Sequence, residues 1–271
     1  MKLLNNPFKN DQEYYADSKY VSNSMLSNIS VSPKYFEYRL NNPMKASSAM
    51  DFGRAFHKFV LEKDQFDLTY DIAPECDKRT KEGKEQWKNY LESLGEKETI
   101  TLKDYNIISK MSSVILKDNV ASDLLSNGEA EKIICWENKE FDVKCKGMLD
   151  YYTKYEIMDT KVTRIVDLKT TSTASSKGFL DTIRKYKYHK QAAYYMDAVK
   201  ADHFYIIAIE KYPPYGMNVF EISGELLQEG RDLYRKELDI YASCLHNKRF
   251  PDYGICPYDK DQEREIITLN E

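Results

Sequence analysis

At 271 residues, with 42% hydrophobic side chains and 22 tyrosines, the sequence is long enough to bury a sizeable core in one large domain or two small ones. Its net charge of −4 excludes attraction of nucleic acid by the molecule as a whole, so any DNA affinity has to come from local basic patches. No apolar run is long enough to span a bilayer, and the start MKLLNNPFKNDQ lacks a signal-peptide core, which points to the cytoplasm and to no membrane partner. The cysteines (Cys76, Cys135, Cys145, Cys244, Cys256) are odd in number and free of C-x-x-C spacing, so buried thiols are expected rather than disulfides or a zinc site.

In chain order, residues 1–23 read as an irregular polar lead-in, and a helical pattern begins at Ser24. Ser32-Pro33 interrupts it, with Ser32 as N-cap and the proline at the first helical position of KYFEYRL. A further helix follows in SSAMDFGRAFHKFVLEKD, with an apolar stripe of Phe52, Phe56, Phe59 and Val60. Gly53 and His57 stand four apart on one of its faces. A glycine inside a helix costs about 1 kcal/mol relative to alanine, so it serves either helix packing or the close approach of another group, such as a phosphate beside the imidazole.

The segment from Cys76 to Glu98 is polar, and Trp87, Tyr90 and Leu91 give part of it a helical face. Arg79, Lys81 and Lys84 within it are either phosphate contacts or a solvated helix start. One long amphipathic helix is expected from Thr101, its cap, to Ser126, and then a strand in EAEKIICWE.

The stretch from Val143 to Thr171 reads as two strands, VKCKGMLDYY and TRIVDLKTT, joined by a polar turn. Asp150 and Asp167 lie near their ends, and Lys169 follows two residues after Asp167, so the latter two project to one face. Antiparallel pairing would bring Asp150 to them. Two close carboxylates repel unless a cation separates them, and hard oxygen ligands suit Mg²⁺ or Mn²⁺. A lysine beside such a cation can position or deprotonate a water. A solvated strand rim is the ordinary alternative. The sequence also holds a second D-x-K, Asp159-Thr160-Lys161. Asp167 is preferred because Ile165-Val166 leads into it, and Asp159 reads as a turn residue.

Beyond the loop TSTASSKG, one basic helix is expected over FLDTIRKYKYHKQAAYYMDAVKA. Lys177, Arg184, Lys185, Lys187 and Lys190 lie in or beside it, interleaved with Tyr186, Tyr188, Tyr194 and Tyr195. A charge-rich solvated face is the plain reading of such a stretch. Two strands, HFYIIAIEKY and MNVFEIS, flank a Pro-Pro-Tyr-Gly turn, and an amphipathic helix closes the chain. The whole reads as one α/β domain with N-terminal helices packed on a sheet.

In chain order, FGRAFH resembles a G-x-x-x-H helix, and AEKIICWE a first core strand with Glu131 at its acidic position. KGMLDYY and IVDLKTT are similar to G-x-x-D and D-x-K strands, and YHKQAAYY to a Y-x-x-Q-x-x-x-Y helix. Together they resemble the PD-(D/E)xK nuclease superfamily, specifically the RecE-like (exodeoxyribonuclease VIII type) exonucleases of phage recombination modules. The loop between Asp150 and Asp167 is longer than is usual there.

The resemblance implies an α/β fold with a mixed central sheet flanked by helices, a restriction-endonuclease-like core with N-terminal helical additions, over residues 24–271 as a single nuclease domain. It implies a divalent metal, Mg²⁺ or Mn²⁺ and two ions, on His57, Asp150, Asp167 and the Leu168 backbone carbonyl, with Lys169 orienting the attacking water. Glu131 would hold a metal-bound water or a second-layer hydrogen bond. Gln191 and Tyr195 would position DNA, and Gly53, Arg54, Arg79 and Arg184 are candidates for substrate contact. Cys244 and Cys256 lack the spacing of relatives that carry an iron–sulfur cluster, so none is expected.

The activity implied is degradation of linear double-stranded DNA from 5′ ends, leaving a 3′ single strand for recombination. The partners implied are double-stranded DNA ends, a single-strand annealing (RecT-like) protein, and further copies of the chain in a homo-oligomeric ring. Two alternatives stay open. One is another nuclease of this superfamily, either a single-strand exonuclease or a repair or CRISPR-adaptation nuclease. The other is a catalytically silent DNA-end-binding protein.

Overall fold

The computed structural model describes residues 1–253, 255 and 257–259; Cys256 lies outside the described residues. The first twenty-odd residues are not irregular. They form a strand, β1 (Lys2–Leu4), and a short helix, α1 (Asp11–Ala16), and Val21 then bridges to Cys145. The reason lies in Lys146, which is 2% exposed. A buried ammonium has to satisfy its donors, and this one finds the carbonyls of Tyr14 (2.5 Å) and Asp17 (2.7 Å). It thereby ties the segment to the sheet.

Helices α2 (Asn23–Ile29), α3 (Pro33–Asn41) and α4 (Ser48–Leu61) follow. Each starts at a serine, Ser22, Ser32 or Ser47, whose hydroxyl accepts a backbone N–H of the first turn. A small unit comes next: α5 (Lys63–Thr69), β2 (Tyr70–Ile72), α6 (Lys81–Leu94, capped by Thr80) and β3 (Glu98–Ile100), with β2 and β3 paired in parallel. Thr101 caps α7 (Leu102–Lys117) as expected, but the single long helix is two. At Asp118 the chain turns extended, and its carboxylate accepts the N–H groups of Val120 and Ala121 to start α8 (Asn119–Leu124).

The main sheet holds β4 (Glu129–Asn138), β5 (Val143–Ile157), β6 (Thr160–Thr171), β7 (His203–Glu210) and β8 (Met217–Glu221), in the order β1-β4-β5-β6-β7-β8. Its neighbours are antiparallel except β6 and β7, which run parallel and are joined across one face by α9 (Ser176–Tyr186) and α10 (Tyr188–Val199). The long polar turn expected between Tyr152 and Thr163 is instead strand. Tyr152 to Ile157 pair with Ile165 to Thr160, and the turn shrinks to Met158-Asp159. Both turn residues are left-handed (φ 46° and 68°), as a tight two-residue hairpin turn demands.

The expected basic helix over residues 179–201 is also broken, at Lys187, which is left-handed at φ 57°. The long α11 (Gly224–Asn247) closes the described fold.

The sheet is covered on both faces. Leu26, Phe36, Phe179, Tyr194 and Leu238 from α2, α3, α9, α10 and α11 pack one face around Trp136. Phe56, Phe66, Ile108, Met111 and Leu124 from α4, α5, α7 and α8 pack the other. Burying each such side chain contributes about 2 kcal/mol.

Lys190, expected on a basic surface, is 1% exposed and lies 2.6 Å from the equally buried Glu237 of α11. Lys187 joins the same carboxylate, at 3.6 Å. Cys135, Cys145 and Cys244 are buried thiols, and Cys76 is half-buried.

Candidate active site

The site forms where β4 and β5 change face. Strict alternation would put Ala130 and Ile134 on one side of β4, and Leu149 and Tyr151 on one side of β5. Instead Ile134 and Leu149 pack under α10, while Ala130 and Tyr151 pack under α4 and α7. The switch occurs at Glu131, whose backbone is left-handed (φ 47°), and the ladder skips the Glu131–Asp150 pair between Ala130↔Tyr151 and Lys132↔Leu149. A non-glycine residue held there costs on the order of 1–3 kcal/mol. The neighbouring ladder between β5 and β6 ends at Tyr151↔Val166, just short of the two aspartates. Past that point the Asp150 carboxylate takes over from the backbone, accepting the Leu168 N–H at 2.8 Å.

His57, on α4, reaches into this opening. Its Nε2 lies 2.9 Å from the Leu168 carbonyl, an oxygen that only accepts, so Nε2 carries the proton. Burial holds the ring below its ordinary pKa, with Asp150 opposing and Lys169 assisting, so at neutral pH the imidazole is uncharged and Nδ1 presents a lone pair. That lone pair faces Asp150 Oδ2 at 3.4 Å.

Glu131 completes the group: one ligand atom from each of His57, Glu131 and Asp150 lies within 4.8 Å of the others. Burial and then Asp150 push the Glu131 carboxyl up to about 8. Once Glu131 gives up its proton to a cation, all three residues present acceptors to it. A neutral imidazole and two carboxylates make a donor set that fits a hard or borderline divalent cation.

Asp167 and Lys169 project to the α10 side, as their spacing predicts. Asp167 is 2% exposed; its Oδ2 lies 2.5 Å from Lys169 Nζ, and its Oδ1 accepts from Gln191 Nε2 at 2.8 Å. Burial pushes Asp167 upward while Lys169 pulls it back. For Lys169 burial favours the neutral amine, but the carboxylates of Asp167 and Asp150 outweigh it and hold the ammonium charged above its usual range. Lys169 is thus a cationic donor, and of the two roles expected for it, the general base is the one this environment opposes.

Of the residues expected to hold metal, His57 and Asp150 converge here with Glu131, while Asp167 is engaged by Lys169 and Gln191 and the Leu168 carbonyl accepts from His57. Gln191, half-buried, steadies Asp167, and Tyr195 is buried against Gly147, so both pack against the site.

The candidate surface arginines each have an acidic neighbour. Arg54 pairs with Asp51 (2.7 Å) and lies 3.7 Å from Glu98; Arg79 pairs with Asp77 (2.9 Å), and Arg184 lies 3.7 Å from Glu229. Lys81 and Lys84 are exposed on α6.

Two tyrosines also neighbour the site, and one of them, Tyr188, is the first tyrosine of the Y-x-x-Q-x-x-x-Y pattern. Tyr188 lies over Lys169, with Nζ 5.0 Å from its ring centroid. Tyr15, on the tethered N-terminal segment, is an exposed ring whose hydroxyl is pushed up by desolvation and then by the Glu131, Asp11 and Asp150 carboxylates.

At Gly53 an added Cβ would meet nothing within 4 Å, so no described protein group crosses the helix there. Packing does not account for the glycine, which leaves the expected approach of another group beside His57 to be tested. Gly53→Ala is expected to stabilise the fold by about 1 kcal/mol through helix propensity. It should also lower activity, measured by melting temperature and by turnover on DNA; full activity would return the glycine to a neutral role.

Residues 22–262 match the family described as a PDDEXK-like domain of unknown function (DUF3799). Among solved structures, the chain is similar to a "Putative exonuclease" from Eubacterium rectale, at 17% identity and TM-score 0.62, covering 99% of this chain and 97% of that one. That likeness shows the fold, a mixed sheet flanked by helices with a restriction-endonuclease-like core. The structure of SSO0001 matches at 12% identity and TM-score 0.38, over 84% of this chain and 80% of that one. No curated protein matches the sequence.

Proposed function

The chain belongs to the PDDEXK-like domain family DUF3799, and we propose that it is a divalent-metal-dependent exodeoxyribonuclease acting on linear double-stranded DNA. The observation that carries this reading is the charged Lys169, paired to buried Asp167, beside the convergent acceptors of His57, Glu131 and Asp150. A divalent cation held by His57, Glu131 and Asp150 would offset charge on the scissile phosphate and acidify the attacking water.

The chain's own groups supply the rest. Lys169 Nζ donates to the water or to a phosphate oxygen, stabilising the charge that develops as the phosphodiester opens. Asp167 keeps that ammonium charged and aimed, and Gln191 keeps Asp167 in place. Asp150 fixes the Leu168 N–H, and the Leu168 carbonyl fixes the His57 tautomer, so the opening between the strands is held before substrate arrives.

Removal of nucleotides from 5′ ends, exposure of a 3′ strand for a single-strand annealing partner, and assembly into a ring follow the RecE-like resemblance. They are proposed with it. Among the described residues, no helix is long and apolar enough to cross a membrane.

Digestion of linear duplexes labelled at the 5′ or the 3′ end, beside the matching single strands, tests the reading. Early loss of the 5′ label from duplex is expected. Preference for single strands would shift the assignment to a single-strand exonuclease of the same fold, and no digestion with either Mg²⁺ or Mn²⁺ would leave a DNA-end-binding protein.

A further inference from the structure

We propose that Tyr186 and Tyr188 form a stacking shelf for the nucleobase next to the scissile phosphate, so that the strand meets the site with its terminal base unpaired. This rests on the nuclease reading above and adds to it the form of the DNA end.

The left-handed turn at Lys187 splits what would be one helix and brings residues 186 and 188 to the same side. Their rings lie 5.8 Å apart and 22° from parallel. A straight helix would point residues two apart in different directions, so the break is what creates the pair.

The shelf is anchored. Tyr188 lies 6.3 Å from the buried Phe179, which stacks in turn on Phe220 (4.8 Å, 20°). Its outer end is open, because Tyr186 is 58% exposed. A single exposed tyrosine needs no explanation. Here, however, the exposed ring continues a row that starts beside Lys169, with Tyr188 5.0 Å from its Nζ. Lys185 Nζ lies over the Tyr186 ring, 5.3 Å from its centroid, and sets a mobile side-chain cation beside the shelf that can move to the backbone phosphate of a stacked nucleotide.

Aromatic shelves beside cations are how proteins hold single-stranded nucleic acid without reading its sequence. A base inside a duplex is covered on both faces, so only a terminal or frayed base can join the row.

Steady-state digestion of duplexes with short unpaired ends by wild type, Tyr186→Phe, Tyr186→Leu and Tyr186→Ala tests the shelf. Loss of one base stack should raise KM by roughly tenfold in the Ala and Leu variants with little change in kcat, while Phe behaves as wild type. Equal melting temperatures are expected throughout, because the side chain is exposed. Wild-type KM in Tyr186→Ala would overturn the proposal, and so would a Phe variant that fails like Ala, since that would assign the effect to the hydroxyl. If wild type cleaves no DNA, the nuclease reading fails by itself, and the shelf is then judged by anisotropy of a labelled single-stranded oligonucleotide in chelator. There Tyr186→Ala should weaken binding by the same factor, and unchanged binding would overturn the shelf.

Discussion

Replacing Lys169 by Ala is expected to lower kcat by roughly 10³-fold or more while leaving divalent-cation affinity near that of wild type, because Lys169 lies outside the ligand group. The same change removes the charged partner of Asp167, which is 2% exposed and keeps, among the described residues, the Gln191 amide. Breaking a buried ion pair by removing one member costs about 3–5 kcal/mol, and Asp167 can soften that by taking up a proton, towards which burial already pushes it. Stability and activity would therefore fall together in the single variant. Lys169→Ala combined with Asp167→Asn separates the two. Removing the stranded charge should restore most of the melting temperature and none of the turnover. Turnover retained by folded Lys169→Ala would refute its assigned role.

Glu131→Gln should abolish cation binding without weakening the fold. With its carboxyl pushed up to about 8, Glu131 already holds a proton at neutral pH in the absence of a cation, and glutamine resembles that form closely. In chelator the variant should melt with wild type. In Mn²⁺ at about a hundred times its Kd, wild type should gain about 2.7 kcal/mol, a rise of roughly 5–10 °C for a chain of this size, and the variant none. Asp150→Asn should lose the same response. A Glu131→Gln protein that still responds to Mn²⁺ as wild type does would move the cation elsewhere, with Asp167 the first place to look.

The parts of the site that follow local rules were legible from the residues. Asp167 and Lys169 share a face because a strand repeats every two residues, and Ser32-Pro33 and Thr101 start helices because their side chains satisfy free N–H groups. What was not legible depends on distant partners or on unfavourable backbone. The motif placed Glu131 near the site, but its left-handed backbone inside a strand, which turns it towards His57 and Asp150, is something glutamate does not signal.

Lys187 breaks a helix without being glycine or asparagine. Lys190 reads as surface charge until Glu237, 47 residues away, is seen to bury it. The N-terminal segment looked irregular because its order comes from Lys146, more than a hundred residues further along. The hairpin beyond Tyr152 is the exception. Tyr155 and Val162 pair across it, and the alternation that would have extended both strands was present in a stretch read as a polar turn.

Digestion of a linear duplex in Mg²⁺ and in chelator, by wild type, Glu131→Gln and Lys169→Ala, most directly asks whether the acceptor group and the lysine act as one cation-dependent site. Cleavage by wild type in Mg²⁺ alone, with both variants inactive though folded, is the expected result. Cleavage that survives the chelator, or that both variants retain, would contradict it.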